Sequence, residues 1–457
     1  MRYLLCLLLL LGTPAHAFDR DQVEGYLLEN GLQVILKPTP NRGHVSIRLV
    51  VGVGFDDFAC DEKELPHLLE HLFFSGLPGN GEADLEARMQ ALGGEWNAFT
   101  SDSDTAFVLE VAARNQRQAL DLLLAILRET PLDEGRVAAA KRVVQREGGG
   151  HYSHLERLLD HQSLGREAHE QLAVELGLAC AERPSVEGLT LERLQDVRDT
   201  WYGANNMSLI VVGDLDPRLP AYLDRRYGEL PPVEVREHPA LPTISAEAAP
   251  RLTLRKGLVG NGATLHWIFP EPLEDGADYA TLELLQDYLD WELYQQLRIR
   301  SGLSYGPWTD RRAYGGQSFT SLNADLERED LDEAVQVLQD TTRRLREHGV
   351  DRTSFERLRR LAVDRQAWAA QGDVALADYY WGALGTYQDG RFESTAKAFA
   401  QVTPEQVDST VRALFAEPGY LRIEAPLLTY EQLAWLLAAL LALLALAGWW
   451  LHRRLRR

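Results

Sequence analysis

The sequence predicts an α+β chain of two homologous domains, each a mainly antiparallel sheet with helices on one face, followed by a C-terminal transmembrane helix. Three observations carry this expectation. The composition of the 457 residues, 45% apolar and 25% charged, is that of globular protein. A Pro- and Ala-rich stretch with no clear period, PPVEVREHPALPTISAEAAP at 231–250, divides the body into halves of similar length. One order of segments then recurs on either side of it: strand, helix, short break, helix.

Taken along the chain, residues 1–17 (MRYLLCLLLLLGTPAHA) come first. Arg2, a leucine-rich run and the small-residue ending Ala15-His16-Ala17 predict a secretory signal peptide cut before Phe18. The first domain, 18–230, opens on alternating HVSIRLVVGVG (44–54). Strand-like TAFVLEVA (105–112) then precedes a long helical stretch (116–147), and MSLIVVGDL (207–215) closes the half. After the linker at 231–250, the second domain spans 251–428. It repeats the pattern with ATLHWIFP (263–270), QSFTSLNADL (317–326), a helical stretch at 331–366 and GYLRIEA (419–425). Residues 433–451 hold no charged group, and at ~1.5 Å per residue such a run just crosses a ~30 Å hydrocarbon core. A buried core helix is the bland alternative. Trp449 and Trp450 suit a membrane interface, and the basic tail at 452–457 is expected to stay in the cytoplasm. The body is then extracytoplasmic on a C-terminal anchor. The arginine-rich, lysine-poor composition suggests a bacterium and hence the periplasm.

The formal net charge of −21 speaks against nucleic acid as a partner, since phosphate backbones require a basic surface. Once the leader is removed, Cys60 and Cys180 remain. An oxidising compartment permits them to pair, but the sequence does not show whether they meet.

The chemistry concentrates in ELPHLLEHLFFSG, residues 64–76. Pro66 suits the first turn of a helix over 62–74. On that helix His67, Glu70 and His71 stand at i, i+3 and i+4 and project from one face, while the leucines and phenylalanines around them are apolar. Two imidazoles one turn apart can hold one Zn²⁺, and the adjacent carboxylate can take the proton of a water that the metal acidifies. Two ordinary helix histidines would be the default for a lone His-x-x-x-His. The full His-x-x-Glu-His spacing is the more specific inverzincin signature.

With these residues the chain resembles the insulinase/pitrilysin zinc peptidases, among them the short two-domain members related to mitochondrial processing peptidase. The resemblance covers most of 25–425. It implies a third ligand about 76 residues beyond the second histidine, where this chain has Glu147. GGEWNAFTS (93–101) is similar to the family's edge-strand segment, which implies that Asn97, Ala98, Phe99 and Thr100 pair with the substrate backbone. LRIRSGLSYG is similar to a family motif in the second half. It implies that Arg298 and Tyr305 reach the zinc site from the opposite wall of a clamshell and help to stabilise the oxyanion. There is one departure. The family commonly carries a supporting glutamate seven residues before the third ligand, and here that position is Ala140. The Gly148-Gly149-Gly150 run is expected to break the ligand helix, and His151, His154, His161 and His169 are assigned to solvent or loops.

The resulting expectation is a membrane-anchored zinc metalloendopeptidase with one Zn²⁺ per chain, acting on extended peptides or small unstructured proteins. His67, His71 and Glu147 are its ligands and Glu70 its general base. The family's closed chamber needs four such α+β units, and a chain supplying two implies a homodimer or a heterodimer with a related chain. The alternative is a non-catalytic peptide-binding or scaffolding subunit of a heterodimeric peptidase. The intact ligand set speaks against it.

Overall fold

Strands form where β-branched and apolar residues alternate, and their order shows the repeat. The computed structural model describes residues 19–148, 166–182, 184–234, 236–272 and 279–456. The leader read at 1–17, together with Gly149, Gly150, His151, His154 and His161, lies outside the described residues.

The first sheet is built from β1 (Glu24–Leu27), β2 (Gln33–Pro38), β3 (His44–Val51), β4 (Glu95–Thr100), β5 (Thr105–Ala112) and β6 (Met207–Gly213), in the order β1-β2-β6-β3-β5-β4. The second is built from β7 (Arg251–Arg255), β8 (Gly262–Pro270), β9 (Trp308–Tyr314), β10 (Gln317–Glu327) and β11 (Tyr420–Ala425), in the order β7-β11-β8-β10-β9. Leaving out β1, the two orders superpose strand for strand. Each sheet contains one parallel pair, β2 with β6 and β7 with β11, and is otherwise antiparallel. The odd pair falls at the same place in both, as a duplicated unit requires.

Helices cover one face of each sheet with residues of their own half. In the first half these are α1 (Leu65–Phe73), α2 (Glu82–Ala91), α3 (Gln116–Glu129) and α4 (Glu134–Gly148). After α5 (Ala168–Glu175) they continue with α6 (Leu191–Trp201) and α7 (Leu219–Tyr227). All but α5 share one core with the sheet residues Ile47, Leu49, Leu109 and Val111. In the second half α8 (Tyr279–Leu293), α9 (Leu331–His348) and α10 (Arg352–Arg365) pack on Leu265, Leu322 and Ile423. After α11 (Asp373–Gly382), α12 (Thr395–Gln401) and α13 (Pro404–Leu414) join the same core.

The two exceptions exchange halves. Helix α11, from the second half, lays Leu376, Ala377 and Tyr380 on Ile35, Ile210 and Val212, on the otherwise open face of the first sheet. Helix α5, from the first half, lays Leu172, Ala173 and Leu176 on Ile268 and Phe319 of the second sheet. Each exchange is pinned by a buried arginine. Arg48 on β3 donates to Asp378 of α11 at 2.8 Å, and Arg422 on β11 donates to Glu175 of α5 at 2.7 Å. His169, expected in solvent or a loop, is instead buried on α5 with its ring edge-on to His266 of β8. The apolar stripe of α5 must face the second sheet, and that orientation carries His169 inward.

Cys60 and Cys180 form a disulfide across 120 residues. It joins the loop that leads into α1 to the segment just after α5, so it ties the motif helix to the strap that crosses to the second sheet.

The last element, α14 (Tyr430–Leu455), contains the expected 433–451 span. Thr429 caps it in a reciprocal pair with Gln432, and among the described residues none buries a residue of the helix. At ~1.5 Å per residue its 26 residues are about 39 Å long, and it is long and apolar enough to cross a membrane.

Candidate metal centre

Helix α1 is held by the core on three sides. Leu65, Leu68, Leu69, Leu72 and Phe73 have no solvent exposure, and Pro66 lies in its first turn. Truncating one such leucine typically costs about 2–5 kcal/mol. The remaining face carries His67 and His71, partly buried, and Glu70, buried.

Helix α4 packs across α1 and brings Glu147 to the two imidazoles. Nε2 of His71 lies 3.2 Å from Nε2 of His67 and 3.2 Å from Oε2 of Glu147, and Nε2 of His67 lies 3.4 Å from the same oxygen. Donors ~2.0–2.1 Å from one tetrahedral zinc stand ~3.3 Å apart. The three donors are therefore spaced as a single zinc ion would space them. The protonation pattern agrees. Nδ1 of His67 faces Oε2 of Glu64 at 2.9 Å, so its proton is directed there and the Nε2 lone pair is left free. Lone pairs and a carboxylate converging on one point repel unless a cation sits between them. The donor set, two imidazoles and a carboxylate, fits zinc.

Burial lowers the pKa of His67, but the hydrogen bond to Glu64 and the charges of Glu64, Glu70 and Glu147 outweigh it and raise it. Glu64 was not anticipated from the sequence. Its signal was a carboxylate three residues before the first histidine, within reach on the same helix face. It does for His67 what the glutamate missing at position 140 was expected to supply. Ala140 itself is buried in the core of the first half.

Glu70 does not share the cluster of three donors. Its Oε2 accepts a hydrogen bond from the Thr100 hydroxyl at 2.8 Å, which orients the carboxylate. Thr100 ends β4, the outermost strand of its sheet. Along β4, Ala98 points into the core while Asn97 and Phe99 are exposed on the opposite face, and the outer backbone edge pairs with no described strand.

Arg298 lies in a π-helical turn, Tyr294–Arg300, that continues α8. Such turns often mark functional sites. Its guanidinium donates to the Tyr305 carbonyl at 2.5 Å and sits 3.9 Å from the centre of the Tyr305 ring. Tyr305 is 83% exposed. The structure brings these two residues together, but among the described residues no hydrogen bond or ion pair links them to the histidine cluster.

Fold and site together define a two-domain α+β protein with an inverted zinc-binding helix motif. The family model described as Insulinase (Peptidase family M16) matches residues 33–181, and the one described as Peptidase M16 inactive domain matches 188–361. The chain belongs to peptidase family M16, a family of zinc proteases. It is 30% identical over 213 residues to a Haemophilus influenzae protein named "Probable zinc protease PqqL", covering 44% of this chain and 22% of that one. It is 24% identical over 223 residues to the mitochondrial-processing peptidase subunit beta of Neurospora crassa, covering 48% and 46%. The matches thus span less than half the length of these relatives. In fold, it is similar to the crystal structure of the periplasmic protease PqqL from Escherichia coli. The TM-score is 0.68 at 16% identity, over 88% of this chain and 47% of that one.

Proposed function

We infer that this protein is an extracytoplasmic zinc metalloendopeptidase anchored by α14, cutting extended peptides or small unstructured proteins. The observation that carries the reading is the convergence of His67, His71 and Glu147 at zinc-like separations beside an oriented Glu70.

His67, His71 and Glu147 would hold one Zn²⁺. When bound, zinc supplies Lewis acidity that polarises the scissile carbonyl and acidifies water. Glu70 takes a proton from the attacking water and later delivers it to the leaving amine. Thr100 occupies Oε2 of Glu70 and leaves Oε1 for that proton. The open edge of β4 receives the substrate as an added strand through Asn97, Ala98, Phe99 and Thr100, which sets the scissile bond over the α1 face. Arg298 and Tyr305 present a cation and a phenol to the developing oxyanion. Among the described residues no hydrogen bond or ion pair links them to the cluster, and in this reading a second copy or a related partner chain would present them. The reading of a membrane span and a periplasmic body is supported by the length and apolar character of α14 and by the similarity to a periplasmic protease.

The test is incubation of the full chain with a mixture of unstructured peptides, with and without a zinc chelator, read by mass spectrometry. Cleavage that stops on chelation and returns with zinc supports the reading. Cleavage that persists in metal-free protein rejects it.

A further inference from the structure

Strand β4 has a second face. Helix α11 covers the far side of β2, β6 and β3 but stops short of β5 and β4. A groove of about 700 Å³ is left between α11 and the outermost strand. Glu95 and Phe99 of β4 form one wall, Asp378 and Trp381 of α11 the other, and Arg48 and Glu110 the floor.

The groove's electrostatics follow from who is already paired. Arg48 is 1% exposed and is engaged by Glu110 at 2.7 Å and by Asp378 at 2.8 Å, so its charge is neutralised. Glu95 is exposed and has no hydrogen-bond or ion-pair partner for its carboxylate among the described residues. The side chain of Asp378 is 52% exposed and spends one oxygen on Arg48. Phe99, 48% exposed, adds an aromatic surface beside these carboxylates. A cleft with aromatic walls and unspent negative charge at its rim suits a long side chain with an apolar stem and a cationic head.

We propose that this groove is a specificity subsite for an arginine or lysine of the peptide strand that adds to β4. The proposal rests on the reading of β4 as the docking edge. In an added strand, successive side chains alternate between faces. Those on the α1 side approach the metal site, and those between them fall on the groove side. The subsite therefore reads residues one step out of phase with those that face the metal. The stem lies along Phe99 and Trp381, and the head meets Glu95 and the free oxygen of Asp378.

The test uses the full chain in detergent micelles, carrying Glu70→Gln so that peptides stay intact. Fluorescein-labelled unstructured peptides, identical except for Arg, Ala or Glu at one scanned position, are titrated by anisotropy. Exposed charge pairs are worth up to about 1 kcal/mol, roughly fivefold. At alternate positions arginine is expected to bind about fivefold tighter than alanine, with glutamate weakest. Glu95→Lys, at an exposed position whose carboxylate has no partner among the described residues, is expected to reverse that order. Binding without charge discrimination, or an order unchanged by Glu95→Lys, overturns the subsite alone. Absence of any peptide binding overturns the docking edge, and the subsite with it.

Discussion

Glu64 shows at the residue scale how the site is tuned. It holds the Nδ1 side of His67, and such outer partners typically change metal affinity about 10–100-fold. Glu64→Ala is therefore expected to weaken zinc binding by about that factor, read by competition with a chromophoric chelator. Unchanged affinity would mean that the hydrogen bond does not orient the ligand. Most of the site was legible from residue spacing, because i, i+3 and i+4 fix one helix face whatever the rest of the fold does. Glu147 was legible only through the family resemblance, since nothing local says that α4 crosses α1. Glu64 was overlooked because an acidic residue at a helix start has an ordinary explanation in the helix dipole.

Elements differ in how openly the sequence declares them. β3, β5, β6, β8, β10 and β11 were readable because at least one face of each is buried and apolar. β7 (RLTLR) and β9 (WTDRRAY) are edge strands rich in charge, and their pattern resembles loop. The exchanged helices α5 and α11 were missed, since what buries them is the sheet of the other half, 90 residues or more away in the chain. Two predictions belong here. The Cys60–Cys180 bond closes a loop of 120 residues, and a native disulfide typically contributes about 2–4 kcal/mol. Cys60→Ser with Cys180→Ser should lower the melting temperature of the full chain by several degrees. An unchanged melting temperature would show that the strap is held by packing alone.

His169 on α5 gives a pH dependence. Burial first, then the charges of His266 and Arg312, bring its pKa from 6.5 to about 4, against weaker opposing pulls from Asp310 and Glu167. Its Nε2 is buried with no hydrogen-bond partner among the described residues. The unfolded chain takes up this proton first, so the stabilisation is full above pH 6.5 and is lost as pH falls toward about 4. Between neutral pH and pH 5 the loss should be on the order of 2 kcal/mol. Denaturant melts at both pH values should show His169→Gln flattening this slope. An identical slope in the variant would place the acid sensitivity elsewhere.

The whole molecule is a duplicated unit whose halves are laced by exchanged helices and whose candidate functional residues are divided between two surfaces. It covers 47% of the similar PqqL structure. If the chamber is a homodimer, two inactive variants should complement each other. Chains with Glu70→Gln and chains with Arg298→Ala plus Tyr305→Ala, mixed and reassembled, are expected to recover about a quarter of wild-type cleavage. Half of the random pairs would each regain one of two sites. No recovery would point to a different partner chain, or to service of each site by its own chain.

His67, His71 and Glu147 are proposed to hold a zinc ion beside which Glu70 acts as base. The most direct measurement determines zinc content and peptide cleavage side by side in the wild-type full chain and in Glu70→Gln. One zinc per chain is expected in both proteins, with cleavage reduced about 10²–10⁴-fold in the variant. Zinc-loaded variant protein that cleaves as fast as wild type would contradict these roles, as would wild-type protein that binds no zinc.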